Sequence, residues 1–504
     1  MMPLRHILPL LLQVLDISAA CAANTTSTLF RNGTIVAFNR ETESLEVIRN
    51  GAVLVTGDRI ASIFPNLPTR SELPSGTEEV DITDKILTTG FIDTHRHGWQ
   101  TAFKTLGSNT SLIEYFPRYI GFAAQGHVSA EDVYIGQLAG LYEALNAGVT
   151  TSVDHAHHTW SHEAAVAGLQ ASIDSNARVF WCYTIQDREN FSIDEQLADL
   201  RAVAATASFR GTPTSMGIAY DSFGPNPNLT VVEAIVGLIR EFNLSVLTTH
   251  SVQGPYGFDN SPEDLDSLNI LNLPIPIIIS HASFLTAAGA TLLRSANQYI
   301  SITPESEMHY GHGHPTAHLI LDQAALGVDT HFTFSTDILT QARLWLQSAR
   351  RTRYELVLDL WQTPINNPMS VNQAFLLATR HGGLALRRDD LGVLCEGAKA
   401  DLVIWDGTSP GMLGWVDPVA AVILHANIGD VQGVMVDGRW RKRDGKIVDK
   451  RYETEVKQRF LESARRIQRD LINTPLPVLN GGITQRVDTL RGEGDGYAET
   501  LLEV

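Results

Sequence analysis

The sequence predicts an α/β fold: a (β/α)8 (TIM) barrel inserted into a small β-sandwich that both ends of the chain build. Three observations point there. Between Gly90 and about Leu386, eight short apolar runs alternate with helix-like stretches. The flanking segments hold only short strands and turns, with no helical period. Six of the eight apolar runs end in His or Asp, among them His97, His250, His281 and Asp337. In such a barrel the chemistry sits at the C-terminal ends of the strands.

The first sandwich segment, residues 24–88, contains Leu29–Val36, Ala52–Val55, Ile60–Ile63 and Glu79–Ile82 as strands. The turn pairs Asn32-Gly33 and Gly57-Asp58 separate or bend them. The barrel spans residues 89–389. Its expected strands are Phe91–His97, Val149–His155, Val179–Ile185, Met216–Asp221, Leu244–His250, Ile275–His281, Tyr299–Thr303 and His331–Asp337. Between them Ala130–Ala147, Asp194–Ala205, Thr230–Phe242, Thr286–Ala296 and Thr316–Ala325 read as helices. Residues 390–450 return to short strands and complete the sandwich. The last segment, 451–504, starts with an amphipathic helix, with Val456, Phe460, Ala464, Ile467 and Leu471 on one face. A polar tail follows Pro477.

The chain has 504 residues, 44% apolar, with a net charge of -18. A nucleic-acid binder would carry a basic face, so that class is excluded; the charge favours solubility and says little about substrate. Three cysteines without a CxxC pair exclude a thiolate zinc knuckle and a disulfide framework. Residues 1–22 resemble a secretory signal peptide, with Arg5 and His6 ahead of an apolar run and an Ala20-Cys-Ala22 cleavage site. Sequons at Asn24, Asn32, Asn109, Asn190, Asn228 and Asn243 agree with a secreted glycoprotein. A cytoplasmic location is the alternative. No later run spans a bilayer.

The motif Gly90-Phe-Ile-Asp-Thr-His-Arg-His97 carries the chemistry. Residues i and i+2 of a strand share a face, so His95 and His97 present two imidazoles together. Divalent metal ions take such nitrogen ligands. His309, His312 and His314 form a second histidine cluster, and His155 and His157 follow the second strand.

These pieces in order, with Phe334-Ser-Thr-Asp337 and Leu391-Gly-Val-Leu…Gly397-Ala-Lys-Ala-Asp-Leu-Val403, resemble the amidohydrolase superfamily, in its ATZ/TRZ-like deaminase and chlorohydrolase branch. The resemblance implies one divalent ion, zinc or iron, held by His95, His97, His250 and Asp337. It implies that His281 completes the shell or holds the attacking water. The ion brings the water's pKa toward about 7, and Asp337 would take its proton as general base. The family's deaminases carry His-x-x-Glu after the fifth strand, where this chain has His250-Ser-Val-Gln253. Gln253 can orient a substrate but cannot carry a proton. Glu305, His155 and His157 are the candidates to replace the missing Glu. The expected activity is metal-dependent hydrolysis of a carbon–nitrogen bond, other than a peptide bond, in a small organic substrate. A heterocycle deaminase or dehalogenase is the alternative within enzymes, and a noncatalytic barrel-type binding protein is the alternative outside them. Members of the family often dimerise, so a homo-oligomer is a further expectation by analogy.

Overall fold

The computed structural model describes residues 26–257, 260–313 and 316–475. The expected leader, Asn24, His314 and the expected tail lie outside them. The chain opens with β1 (Ser27–Asn39), β2 (Ser44–Thr56), β3 (Arg59–Phe64), β4 (Glu78–Asp81) and β5 (Lys85–Thr89). Eight barrel strands follow: β6 (Phe91–Arg96), β7 (Val149–Ala156), β8 (Arg178–Ile185), β9 (Ser215–Tyr220), β10 (Leu247–Ser251), β11 (Ile277–His281), β12 (Tyr299–Ile302) and β13 (Ala324–Leu326). The chain then returns through β14 (Leu402–Asp406), β15 (Val431–Val436), β16 (Arg439–Arg443) and β17 (Lys446–Ile447).

The two ends of the chain form one hydrogen-bonded sheet in the order β17-β16-β15-β14-β5-β1-β2-β3, with β4 pairing β1. Phe30, Ile35, Val53, Leu87, Leu402 and Met435 fill its core. Strands β6 to β13 pair in chain order, each parallel to the next. Ile92, Val153, Phe180, Ala219, Ile278 and Ala325 pack with Leu386 and Leu391 in one apolar cluster. The barrel is thus a packed body and not a pore.

The eighth strand is the main departure from the sequence reading. It is Ala324–Leu326, not His331–Asp337. The expected helix Thr316–Ala325 is instead two 3-10 turns, Ala317–Leu319 and Leu321–Gln323, that lead into this strand. Three small apolar residues show no period, and β13 exists because Ile300, Ser301 and Ile302 of β12 pair with them. Closure comes just beyond β13, where the N–H groups of Val328 and Asp329 donate to the His95 carbonyl at 3.0 and 2.9 Å. Gly327 permits this approach, because a Cβ there would lie 2.9 Å from both the Cβ and the backbone nitrogen of His95.

The C-terminal helix Lys457–Asn473 packs Ala464, Ile467 and Leu471 in one cluster with Trp99, Phe103 and Tyr119, over the loop that follows β6. Gln468 Nε2 donates to the Ala102 carbonyl at 2.9 Å. Among the described residues, no helix is long and apolar enough to cross a membrane. Asn109, Asn190, Asn228 and Asn243 are exposed, whereas Asn32 is half-buried within β1.

Candidate metal centre

The HxH pair behaves as strand parity requires. The His95 and His97 rings lie 4.9 Å apart, centroid to centroid. Both Nε2 atoms face Asp329 Oδ1, at 3.3 and 3.2 Å. His250, from β10, brings its ring to 4.8 Å from His95 and 5.3 Å from His97. One ligand atom from each of His95, His97, His250 and Asp329 falls within 4.8 Å of all the others.

Asp337 does not reach this point. It caps the helix Ile338–Leu358, its carboxylate accepting the Thr340 N–H and, at 2.8 Å, the Thr340 hydroxyl. The carboxylate that meets the three histidines is Asp329, which follows the true eighth strand. Two sequence signals separate the residues. Asp337 precedes the apolar-periodic run Ile338-Leu339, as an N-cap does. Asp329 follows an apolar run and a glycine, as a barrel strand-end residue would.

The outer hydrogen bonds fix the tautomers. His97 Nδ1 lies 2.8 Å from the His155 carbonyl, an acceptor only, so Nδ1 carries the proton and Nε2 is a free lone pair. His250 Nδ1 donates to Asp221 Oδ2 at 3.0 Å, which leaves its Nε2 free in the same way. Ser280 Oγ sits 2.8 Å from His95 Nδ1. His95 Nε2 is buried, with no hydrogen-bond partner among the described residues. A carboxylate, three imidazoles and a buried orphan Nε2 are the donor set of a divalent cation, and the residues fit that ion.

The charges agree. Burial drives the His95 pKa well below its ordinary value, against the pull of Asp329. Burial also pushes Asp329 up, but the close approach of the His95, His97 and His281 rings outweighs it and holds the carboxyl well below its usual range. His95 is therefore a neutral imidazole beside an ionised carboxylate. Burial opposes protonation of His250, yet Asp221 raises its pKa.

His281 ends β11 with Nε2 4.0 Å from Asp329 Oδ2. Its Nδ1 faces Thr303 Oγ1 at 3.0 Å and Glu307 Oε1 at 3.2 Å. Burial lowers the His281 pKa and raises that of Glu307 to about 7. Gln253 follows β10, and its Oε1 is buried without a hydrogen-bond partner among the described residues. His281, Asp329 and Gln253 all have left-handed backbone, with φ of 69°, 56° and 60°. Such strain at non-glycine positions collects at functional sites.

Other candidates separate clearly. Glu305 accepts from the Ser335 hydroxyl and the Gln341 amide, at 2.7 and 3.0 Å. His309 bonds the Thr110 carbonyl. His312 packs its ring 5.1 Å from His281. His157 lies against His97, centroids 4.0 Å apart, and accepts from the Trp99 indole N–H. His155 Nε2 lies 3.3 Å from Asp221 Oδ2. Sequence reasoning singled out neither Asp221 nor Glu307. Asp221 was legible, since it ends the expected fourth strand. Glu307 had no sequence signal beyond its nearness to the histidine-rich loop.

The comparisons with known proteins agree with this geometry. The model described as Amidohydrolase family matches residues 86–441. A 5-methylthioadenosine/S-adenosylhomocysteine deaminase of Pelotomaculum thermopropionicum is 25% identical over 412 residues, 78% of this chain and 88% of that protein. A 5'-deoxyadenosine deaminase of Methanosarcina mazei is 23% identical over 442 residues, 84% of this chain and 94% of that protein. Among solved structures, the zinc complex of atrazine chlorohydrolase from Arthrobacter aurescens superposes with a TM-score of 0.73 at 18% identity, over 87% of this chain and 100% of that one. A zinc-bound adenosine deaminase from Xanthomonas campestris also gives 0.73 at 18% identity, over 89% and 99%.

Proposed function

The chain belongs to the Amidohydrolase family and is a hydrolase of carbon–nitrogen bonds other than peptide bonds, and from that premise we propose that it uses one zinc ion to deaminate an amino-substituted nitrogen heterocycle. The observation that carries this reading is the meeting of His95, His97 and His250 around Asp329, with Nε2 lone pairs turned inward. The substrate carbon would be amidine-like, as in the adenine ring of the named nucleoside relatives. Iron would fit the same donors.

A divalent ion held there supplies Lewis acidity that makes water nucleophilic near neutral pH. The chain's own residues do the rest. His97 and His250 are locked in one tautomer by the His155 carbonyl and by Asp221. Asp329 Oδ2 is assigned as the atom that takes a proton from the attacking water. His281 Nε2 and Asp329 Oδ2 stand 4.0 Å apart, too far for a direct hydrogen bond. A reactant with a proton to share fits between them. Gln253 Oε1, an unpartnered acceptor among the described residues, is assigned to orient the substrate's amino hydrogens.

The test is metal content and ammonia release. Purified protein should hold about one zinc per chain and release ammonia from an aminopurine nucleoside or an aminotriazine. Protein that holds no divalent ion, or that holds zinc and turns over no member of such a panel, refutes the reading. The start of the chain and the exposed sequons support a secretory route. A mass loss on N-glycosidase treatment of protein from a secreting host tests it, and an unshifted mass refutes it.

A further inference from the structure

We propose that Glu307 is the positioning residue for His281: it receives the Nδ1–H of His281 and thereby turns the Nε2 lone pair toward Asp329. The inference rests on the hydrolase reading of the site.

Glu307 sits on the short helix Pro304–Tyr310 and is 2% exposed. Its Oε1 already accepts the Thr303 backbone N–H at 2.8 Å and the Thr303 hydroxyl at 3.1 Å. An oxygen that receives a backbone N–H is an acceptor. A protonated carboxyl oxygen could accept that N–H and still donate its own proton, but ionised Glu307 has acceptors only, so in that state the imidazole nitrogen 3.2 Å from Oε1 is the donor. A neutral imidazole has a single N–H, so Nε2 is bare. It is this atom that faces Asp329 Oδ2.

The other contacts of the ring do not set this choice. The Thr303 hydroxyl, 3.0 Å from Nδ1, gives its one proton to Glu307 Oε1 and so faces the ring as an acceptor, a role that Glu307 imposes on it. His312 approaches at 5.1 Å with its ring nearly perpendicular. The Glu307 carboxylate breaks the tie. Its place is also chemically apt, because Gln253 cannot carry a proton and the site leans on His281 to present an acceptor. The rival account is that Glu307 only satisfies the Thr303 N–H at the start of its helix. That account leaves the His281 tautomer and the turnover number untouched when Glu307 is changed.

Selective 15N-histidine NMR reads the tautomer directly, in zinc-loaded and in metal-free protein. Wild-type His281 is expected as the Nδ1–H form in both. Glu307→Ala should convert it to a mixture or to the Nε2–H form. The same variant should lower kcat by about 10–100-fold with zinc content unchanged, and KM should move by no more than about threefold. Glu307→Gln, whose side-chain carbonyl can accept both N–H groups, should recover the wild-type tautomer and most of kcat. A wild-type His281 in the Nε2–H form overturns the proposal, whether or not Glu307→Ala folds. So does a folded Glu307→Ala with unchanged tautomer and kcat. Failure of the hydrolase reading shows separately, as wild-type protein without zinc or turnover, because the metal-free spectrum needs neither.

Discussion

The two ends of the barrel both bury ionisable groups, and they treat them in opposite ways. At the bottom, Arg178 opens β8 and places Nε and Nη2 3.2 Å from the Asp401 carboxylate. Asp437 adds its N–H to Asp401 at 2.8 Å and its carboxylate to Arg178 at 2.6 Å. Lys399 closes the set at 2.9 Å from Asp437 and 2.6 Å from Asp58. Every carboxylate there meets a cation of the chain. This seals barrel to sheet and leaves nothing for a ligand to do. At the top, Asp329 meets imidazoles and the Ser306 hydroxyl but no cation of the chain, and the nitrogen facing it on His95 has no hydrogen-bond partner among the described residues. Lone pairs that face one another in a dry site call for a cation from outside. Burial of charge is therefore not the mark of the functional end; the missing counter-charge is.

Five measurements break or sharpen this contrast, from the largest expected effect down. Asp329→Asn should lower kcat/KM by about 10^2–10^4-fold, the range for a lost general base. It should deplete zinc while the circular dichroism spectrum stays that of the wild type. Arg178→Met should act at the other end: it strands Asp401 and should cost about 3–5 kcal/mol of stability by denaturant titration. The zinc content per folded chain should not change. His158 is a third kind of buried group, with neither ring nitrogen partnered among the described residues, and burial holds its pKa down to about 3. A His lowered on folding leaves stability whole above its unfolded pKa. Below that point the unfolded chain takes up a proton that the fold refuses. Between pH 7.5 and 5 the wild type should thus lose about 2 kcal/mol that His158→Gln does not lose. Asp221→Asn, which loosens the His250 ring, should weaken zinc affinity about 10–100-fold in a chelator competition. Asp337→Ala should cost only about 1 kcal/mol, the loss of a helix cap, with turnover kept.

The strand-end rule found most of the site because β-strand parity and barrel geometry are local and periodic. His95, His97, His250 and His281 all lie where that rule puts them. The rule failed at the eighth strand. Ala324–Leu326 is too short to show a period, and a neighbouring Asp with helix-cap chemistry stood in its place. Glu307 escaped for another reason: nothing in Pro304–Tyr310 says that one carboxylate folds back onto a histidine 26 residues earlier.

The sequence alone determined the barrel, its insertion between two halves of a sheet and three of the four residues that meet at the candidate metal centre. Each of these follows from alternation, periodicity and residue type within a few positions. Tertiary structure decided which aspartate joins them, through the Gly327 approach and the bond from Asp329 N–H to the His95 carbonyl. It also decided which outer partners set the tautomers. Those choices depend on contacts between residues far apart in the chain, and no local pattern encodes them.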